Sequence, residues 1–265
     1  KTGIVNRLTD HYDEVVKDAT CRLLTYALNG NADFMGDDIH YASNHDFVGI
    51  EFSIHGMLDG RVRVGMPGKF NADNALAALA VCTLALSGGS GVLDDHTKQA
   101  ILGSLVKVRV DGRMEIAHVS KTCSVIVDYA HNAVSMESLL TTLRDYHPKR
   151  LVCVFGCGGN RARDRRYSMG EIGGKMADLC IITADNPRFE KNEDIIKDIE
   201  VGLAKTDGTY LVIPDRREAI FYAIRNAEEG DMIAIIGKGH EDYQEIEGVK
   251  HHFLDREVVE EAVKG

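Results

Sequence analysis

Trp is absent from the 265 residues, and the eight Phe and nine Tyr add few aromatics. No apolar stretch approaches the ~20 residues that a helix needs to cross a bilayer, and no secretory signal is read. Positive charge is in deficit: 31 Lys and Arg stand against 41 Asp and Glu, a net charge of -10. That balance argues against a general nucleic-acid or membrane surface, though not against a local basic pocket for an anionic substrate. The six cysteines, at 21, 82, 123, 153, 157 and 180, include no C-x-x-C pair and no paired metal spacing, so a zinc site is not expected. Several fall in apolar runs, where free Cys behaves as a small hydrophobe, and the scatter suits a reducing, cytoplasmic setting. No phosphate loop of the form G-x-x-x-x-G-K-[S/T] occurs, and Gly65-Met66-Pro67-Gly68-Lys69 has the wrong spacing to replace one. There is no internal repeat. The first residue is Lys1 rather than Met, as expected of a piece of a longer protein or a processed one.

What is present is ordinary for a globular protein, 44% hydrophobic and 27% charged, in a length that suits one large or two ordinary domains. The front half reads as a strand at 3–6, a helix over 9–18 capped by Thr9, and a strand at 23–28. A turn at 30–37 and strands at 38–43, 47–55 and 61–65 follow, with Asp59-Gly60 as a hairpin signal. A helix over 70–86, apolar nearly all round and so expected to be buried, and another from 94 or 95 to 105 complete it. From Val106 the character changes. Val110 to Glu115 reads as a linker entering a hairpin. Strands at 123–128, 150–155, 179–183, 210–213 and 232–236 then alternate with helices at 134–146, 167–177, 192–204, 215–228 and 255–263, the last capped by Asp255. Such alternation implies a mostly parallel sheet with helices on both faces.

Four constellations follow strand ends, where open α/β sheets collect ligands. Asp128-Tyr129-Ala130-His131-Asn132 could hold a ribose or phosphates, or could be a helix cap at Asn132 or Ser135 with an incidental His. Gly156-Cys157-Gly158-Gly159-Asn160-Arg161 can bring backbone close to a ligand and offer N–H groups to an anion. Arg161 stands where a dinucleotide fingerprint needs Gly, which favours a carboxylate or phosphate partner. Asp185-Asn186-Pro187-Arg188 places an anion, an amide and a guanidinium on backbone that Pro187 stiffens, or is a capped polar turn. In Gly237-Lys238-Gly239-His240-Glu241 the glycines permit close approach and Glu241 can accept from an ammonium; the alternative is a Gly-rich turn. Together Arg161, Asp185, Asn186, Arg188 and Glu241 describe a pocket for an amino acid, one with a second carboxylate included. A small zwitterion needs each charge paired once it is desolvated. Asn71 and Asn74, at the start of the 70–86 helix, either present amides to a nucleotide or cap the helix.

These motifs, with Gly68-Lys69-Phe70-Asn71 and Gly112-Arg113-Met114-Glu115, fall between residues 68 and 241 in the order in which they occur in Mur ligases, and they resemble that family. The resemblance implies an α/β chain. Residues 1–110 would be the rear part of the central ATP-binding domain, and residues 111–265 a Rossmann-like, amino-acid-binding C-terminal domain with a mostly parallel sheet. It also implies ATP-driven amide formation in peptidoglycan precursor synthesis, with ATP and Mg²⁺ in the intact enzyme and an acyl phosphate as intermediate. Asn71, Asn74, Arg113, Asp128 and His131 would line the nucleotide. Arg161, Asp185, Asn186, Pro187, Arg188, Gly237 and Glu241 would hold the incoming amino acid. The D-N-P-R form resembles the type that adds meso-diaminopimelate to UDP-MurNAc-L-Ala-D-Glu, since lysine-adding relatives tend to lack that Arg. Two departures stand out. Ala133 replaces a usual Pro, which changes the helix entry, and the family's front half with its phosphate loop is not seen, so this chain alone is expected to be inactive. The competing readings are a lysine-adding or other Mur ligase, a folylpolyglutamate synthetase, a dinucleotide-dependent oxidoreductase built on residues 156–159, and a ligand-binding module without chemistry.

Overall fold

The computed structural model describes all of residues 1–265. It divides into two compact units, Lys1–Val108 apart from the turn at 44–46, and Arg109–Gly265. In the first unit, strands β1 (Thr2–Asn6), β2 (Arg22–Leu28), β3 (Phe34–Asn44), β4 (Phe47–Gly56) and β5 (Gly60–Val64) lie in the order β1-β2-β3-β4-β5. The first three run parallel and β4 and β5 form the expected hairpin. Helices α1 (Tyr12–Val16), α2 (Phe70–Leu86) and α3 (Asp95–Ser104) accompany them. The core gathers Phe34, Ile50, Phe52 and Ile54 of the sheet against Leu76 and Leu79 of α2.

Three local expectations fail here for identifiable reasons. Helix α1 covers only Tyr12–Val16, with His11 rather than Thr9 before it, in a left-handed conformation and without a side-chain cap. It buries no residue, so nothing supports further turns. The turn at 30–37 ends early, because Phe34 is fully buried and pairs with Tyr26 in the parallel ladder. Helix α2 has the expected ends but only one buried flank: Phe70, Val81 and Leu86 are exposed. Asn71 is the second residue of α2 and does not cap it. Its Nδ2 donates to the Pro67 carbonyl at 2.7 Å, and its Oδ1 accepts from Asn74 at 3.1 Å.

The second unit contains β6 (Glu115–Val119), β7 (Cys123–Asp128), α4 (Ala133–Arg144), β8 (Arg150–Phe155), α5 (Arg163–Met176), β9 (Leu179–Ile182) and α6 (Asn192–Leu203). After these come β10 (Tyr210–Val212), α7 (Arg216–Arg225), β11 (Asp231–Ile236), the hairpin β12 (Tyr243–Ile246) and β13 (Val249–His252), and α8 (Asp255–Lys264). Six strands form one sheet in the order β10-β9-β8-β11-β7-β6, parallel except for β6. The near-continuous apolar runs of β7, β8 and β11 are buried along their length, as strands covered on both faces must be. Strand β11, late in the chain, inserts between β8 and β7. The four loops that follow β9, β8, β11 and β7 therefore lie side by side at one edge, although more than a hundred residues separate the first from the last in sequence.

Asp255 does not cap α8 through its side chain. It is the first helical residue and is wholly buried against Arg216. The pair is bidentate, with Nε to Oδ1 and Nη2 to Oδ2 both at 2.7 Å. Arg216 also donates to the carbonyls of Ala184 at 3.2 Å and Ile236 at 3.0 Å, the residues immediately before Asp185 and Gly237. A single cation thus ties the starts of α7 and α8 to the ends of two strands. Removing one partner of a buried pair strands the other charge and costs about 3–5 kcal/mol. Urea denaturation should show a loss of that size for Asp255→Ala; a loss below ~1 kcal/mol would contradict the bracing role.

Candidate functional site

At the carboxyl edge of the second sheet is a cleft of about 230 Å³, lined by Tyr129, His131, Gly156, Cys157, Gly158, Arg161, Arg165, Asp185, Asn186, Arg188, Gly237 and Glu241. Each segment reaches it for a local reason. Asp185 follows β9 by three residues and lies 6% exposed. None of the side-chain hydrogen bonds ends on its carboxylate. Burial pushes its pKa up, while the charges of Arg216 and Lys238 pull it down. Gly237 has φ 112°, and a Cβ there would sit 2.9 Å from Asp185 Oδ2, so glycine is what lets the β11 end pass beside this carboxylate.

Asn186 knits three loops together. Its Nδ2 donates to Glu241 at 2.9 Å, its Oδ1 accepts from Glu245 N at 2.9 Å and Lys238 Nζ at 3.3 Å, and its carbonyl accepts from Gly159 N at 2.8 Å. A residue with its amide so fully engaged is a brace as much as a ligand group. Lys238 is completely buried, donates also to the Tyr243 carbonyl, and has its pKa lowered by burial. The sequence reading gave it no role. Its only signal was a lysine between two glycines directly after an apolar strand.

The Arg188 guanidinium and the aliphatic stem of Arg161 meet over Gly158: a Cβ there would lie 2.9 Å from Arg188 Nη1 and 3.8 Å from Arg161 Cγ. Arg161 is exposed and stands just before α5, whose start has no side-chain cap, so the helix adds its own positive end. Arg165, in the first turn of α5, brings a third guanidinium to the cleft. Opposite stand Asp185 and Glu241. Tyr129 donates to Glu241 at 3.4 Å, and its ring packs against His131 and His240 under the Arg113 guanidinium. Burial pushes the Cys157 thiol up to about 12, so it lines the cleft as an inert wall.

The structure brings Arg161, Asp185, Asn186, Arg188, Gly237 and Glu241 into one cleft, and it adds His131, which sequence had grouped with the nucleotide. Other residues are placed differently from expectation. Pro187 lines an adjoining groove instead. Asp128 gives both carboxylate oxygens to backbone amides, Met114 and Ala130, each at 2.7 Å, and so braces the loop at 111–114. Asn132 is the cap of α4, in a reciprocal capping box with Ser135. Arg113 stacks beside the cleft without lining it, and Asn71 and Asn74 belong to the first unit. Gly156 and Gly159 were expected to offer backbone to a ligand. Gly156 lines the cleft and Gly159 does not; a Cβ on either would strike the carbonyl of Thr183 or Pro187, so both also let the 183–187 segment pack closely. Tyr129, Arg165 and Lys238 are the site residues that sequence reasoning missed.

The chain is thus a two-unit α/β protein whose second sheet carries a cleft lined by charges of both signs. Residues 1–82 match the Mur ligase middle domain, and residues 112–239 match the Mur ligase glutamate ligase domain. The chain belongs to the Mur ligase family. It is 39% identical over 261 residues to the UDP-N-acetylmuramoyl-L-alanyl-D-glutamate–2,6-diaminopimelate ligase 2 of Clostridium acetobutylicum, covering 98% of this chain and 51% of that protein. With the corresponding ligase of Clostridioides difficile it shares 40% over 250 residues, 94% of this chain and 49% of that one. A solved structure of a ligase of that name superposes with a TM-score of 0.76 at 33% identity, over 100% of this chain and 53% of the other. The chain spans about half the length of the relatives it matches.

The electrostatics give a test that needs no ligand identity. The folded-state pKa of Asp185 lies above its ordinary 3.8. Its contribution to stability is therefore complete below that ordinary value and is lost as pH rises through the folded value. At pH 7 the buried charge is a net burden on the unliganded chain. Asp185→Asn should be more stable than the parent at pH 7 by urea denaturation, with the gap closing near pH 3. A variant less stable at pH 7 would refute this account of the carboxylate.

Proposed function

We propose that this chain supplies the amino-acid-binding half of an ATP-dependent ligase that joins meso-diaminopimelate to UDP-MurNAc-L-Ala-D-Glu. One observation carries the reading: Asp185 and Glu241 line the same small cleft as Arg161 and Arg188. Diaminopimelate carries two ammonium and two carboxylate groups. Two protein anions and the guanidiniums match that pattern, whereas lysine lacks the distal carboxylate that a second arginine would read. The names of the relatives support the same substrate.

In this reading the γ-carboxylate of the D-glutamyl substrate takes the terminal phosphoryl group of ATP and ADP leaves. The free amine of diaminopimelate attacks the acyl carbon, the C–N bond forms, phosphate departs and the amine gives up a proton. The cleft contributes by holding the amino acid so that one amine projects toward the acyl phosphate, which converts an encounter into a positioned reaction. Asp185 is suited to an ammonium because no protein donor occupies it. The stacked Arg113, Tyr129, His131 and His240 form an aromatic and cationic face suited to a nucleotide beside the amino acid. No group of three His, Cys, Asp or Glu side chains in this chain is arranged to hold a metal ion. No helix is long and apolar enough to cross a membrane.

Calorimetry separates the candidates. The chain should bind meso-diaminopimelate in preference to L-lysine and show no tight site for NAD. Arg188→Ala should weaken diaminopimelate by about a hundredfold, the cost of truncating one partner of a paired charge, while leaving any ATP binding within about threefold. Equal losses for both ligands would sink the assignment.

A further inference from the structure

We propose that Glu245, on the hairpin outside the main sheet, is the positioning residue for Arg188 and thereby sets which amino acid the cleft accepts. The inference rests on the diaminopimelate reading above. Arg188 has φ 54°, a left-handed conformation that a non-glycine residue keeps only when its surroundings impose it. Strand β12 imposes it. Arg188 N donates to the Glu245 carbonyl at 3.0 Å, Glu247 N donates to the Arg188 carbonyl at 2.7 Å, and Arg188 bridges to Ile246. The side chain is then aimed by two contacts: Nε lies 3.3 Å from Glu245 Oε2, and Nη1 donates to the Gly159 carbonyl at 2.8 Å. A guanidinium has five N–H donors, so the Nη2 pair and one Nη1 hydrogen stay unused.

Glu245 takes the Nε side and so leaves the fork that a carboxylate prefers to grip through two parallel bonds. It also supplies negative charge beside Arg188 in a cleft that Arg161 and Arg165 line as well. The same residue reaches Asp185 indirectly, since Glu245 N donates to Asn186 Oδ1. The hairpin therefore aligns the carboxylate-reading arginine with the ammonium-reading end of the cleft.

The test is a double-mutant cycle read by calorimetry on the whole chain, with meso-diaminopimelate and L-lysine as ligands and a thermal melt for each variant. Parent, E245A, R188A and E245A/R188A form the cycle, and E245Q is the conservative variant. E245A should lose about tenfold for diaminopimelate and less than about threefold for lysine, and should add nothing further in the R188A background. E245Q keeps an acceptor for Nε and should stay within about threefold of the parent. Should E245A fail to fold, E245K decides, because a cation on the Nε side must lose diaminopimelate while sparing lysine. Equal losses for both ligands, parent-like binding by E245A, or additive losses in the double variant would each overturn the role of Glu245. A parent that shows no preference for diaminopimelate would overturn the substrate reading itself, and the positioning role with it.

Discussion

The buried ion pair of Arg216 and Asp255 is the interaction on which the rest of the second unit depends. Both side chains are fully excluded from solvent, and the pair satisfies itself through two parallel bonds at 2.7 Å. Burying two charges is unfavourable unless every donor and acceptor is met. Here two of the three remaining N–H donors of Arg216 go to the Ala184 and Ile236 carbonyls. The charge that could destabilise the core instead fixes the two positions from which Asp185 and Gly237 depart.

Above that brace the site is built in tiers. Asn186 and Lys238 join the loops after β9 and β11, and Asn186 also holds the glycine loop after β8 through its carbonyl. Arg166, itself buried, pairs with Glu190 and Asp198 and reaches the Gly158 carbonyl, which steadies the same glycine loop from below. Asp185, Glu241, Arg161 and Arg188 line the cleft above these braces, with Glu241 accepting from Tyr129 and Asn186 and Arg188 held by Glu245 and the Gly159 carbonyl. Burial raises the pKa of Asp185 even though the charges of Arg216 and Lys238 pull it down.

Much of this was legible in the sequence, and the limits have physical causes. Strands β7 and β8 are apolar runs closed by Asp128 and by Gly156, and they stand where their residues predict. The residues at 161, 185, 186, 188, 237 and 241 were recognisable as strand-end groups of complementary charge. What periodicity could not show was strand order. The insertion of β11 between β8 and β7 is decided by packing across the whole sheet, and it is what makes these loops neighbours. Nor could it show that Asp128 and Asn186 serve the framework, since a carboxylate or amide that binds a ligand and one that binds a backbone amide look alike in one dimension. Lys238, Arg216 and Asp255 were unreadable for a related reason. A buried charge is tolerated only through partners distant in sequence, here 39 residues apart for the ion pair. Helix α1 failed in the opposite direction: its local pattern favoured more turns than its surroundings support.

The central claim is that one cleft reads both ends of a diaminopimelate zwitterion. A crystal structure of the chain with meso-diaminopimelate tests it most directly. The account predicts an ammonium within hydrogen-bond distance of Asp185 and Glu241, and a carboxylate gripped by Arg188 beside Arg161. A ligand whose carboxylates avoid both arginines, or one bound outside this cleft, would contradict it.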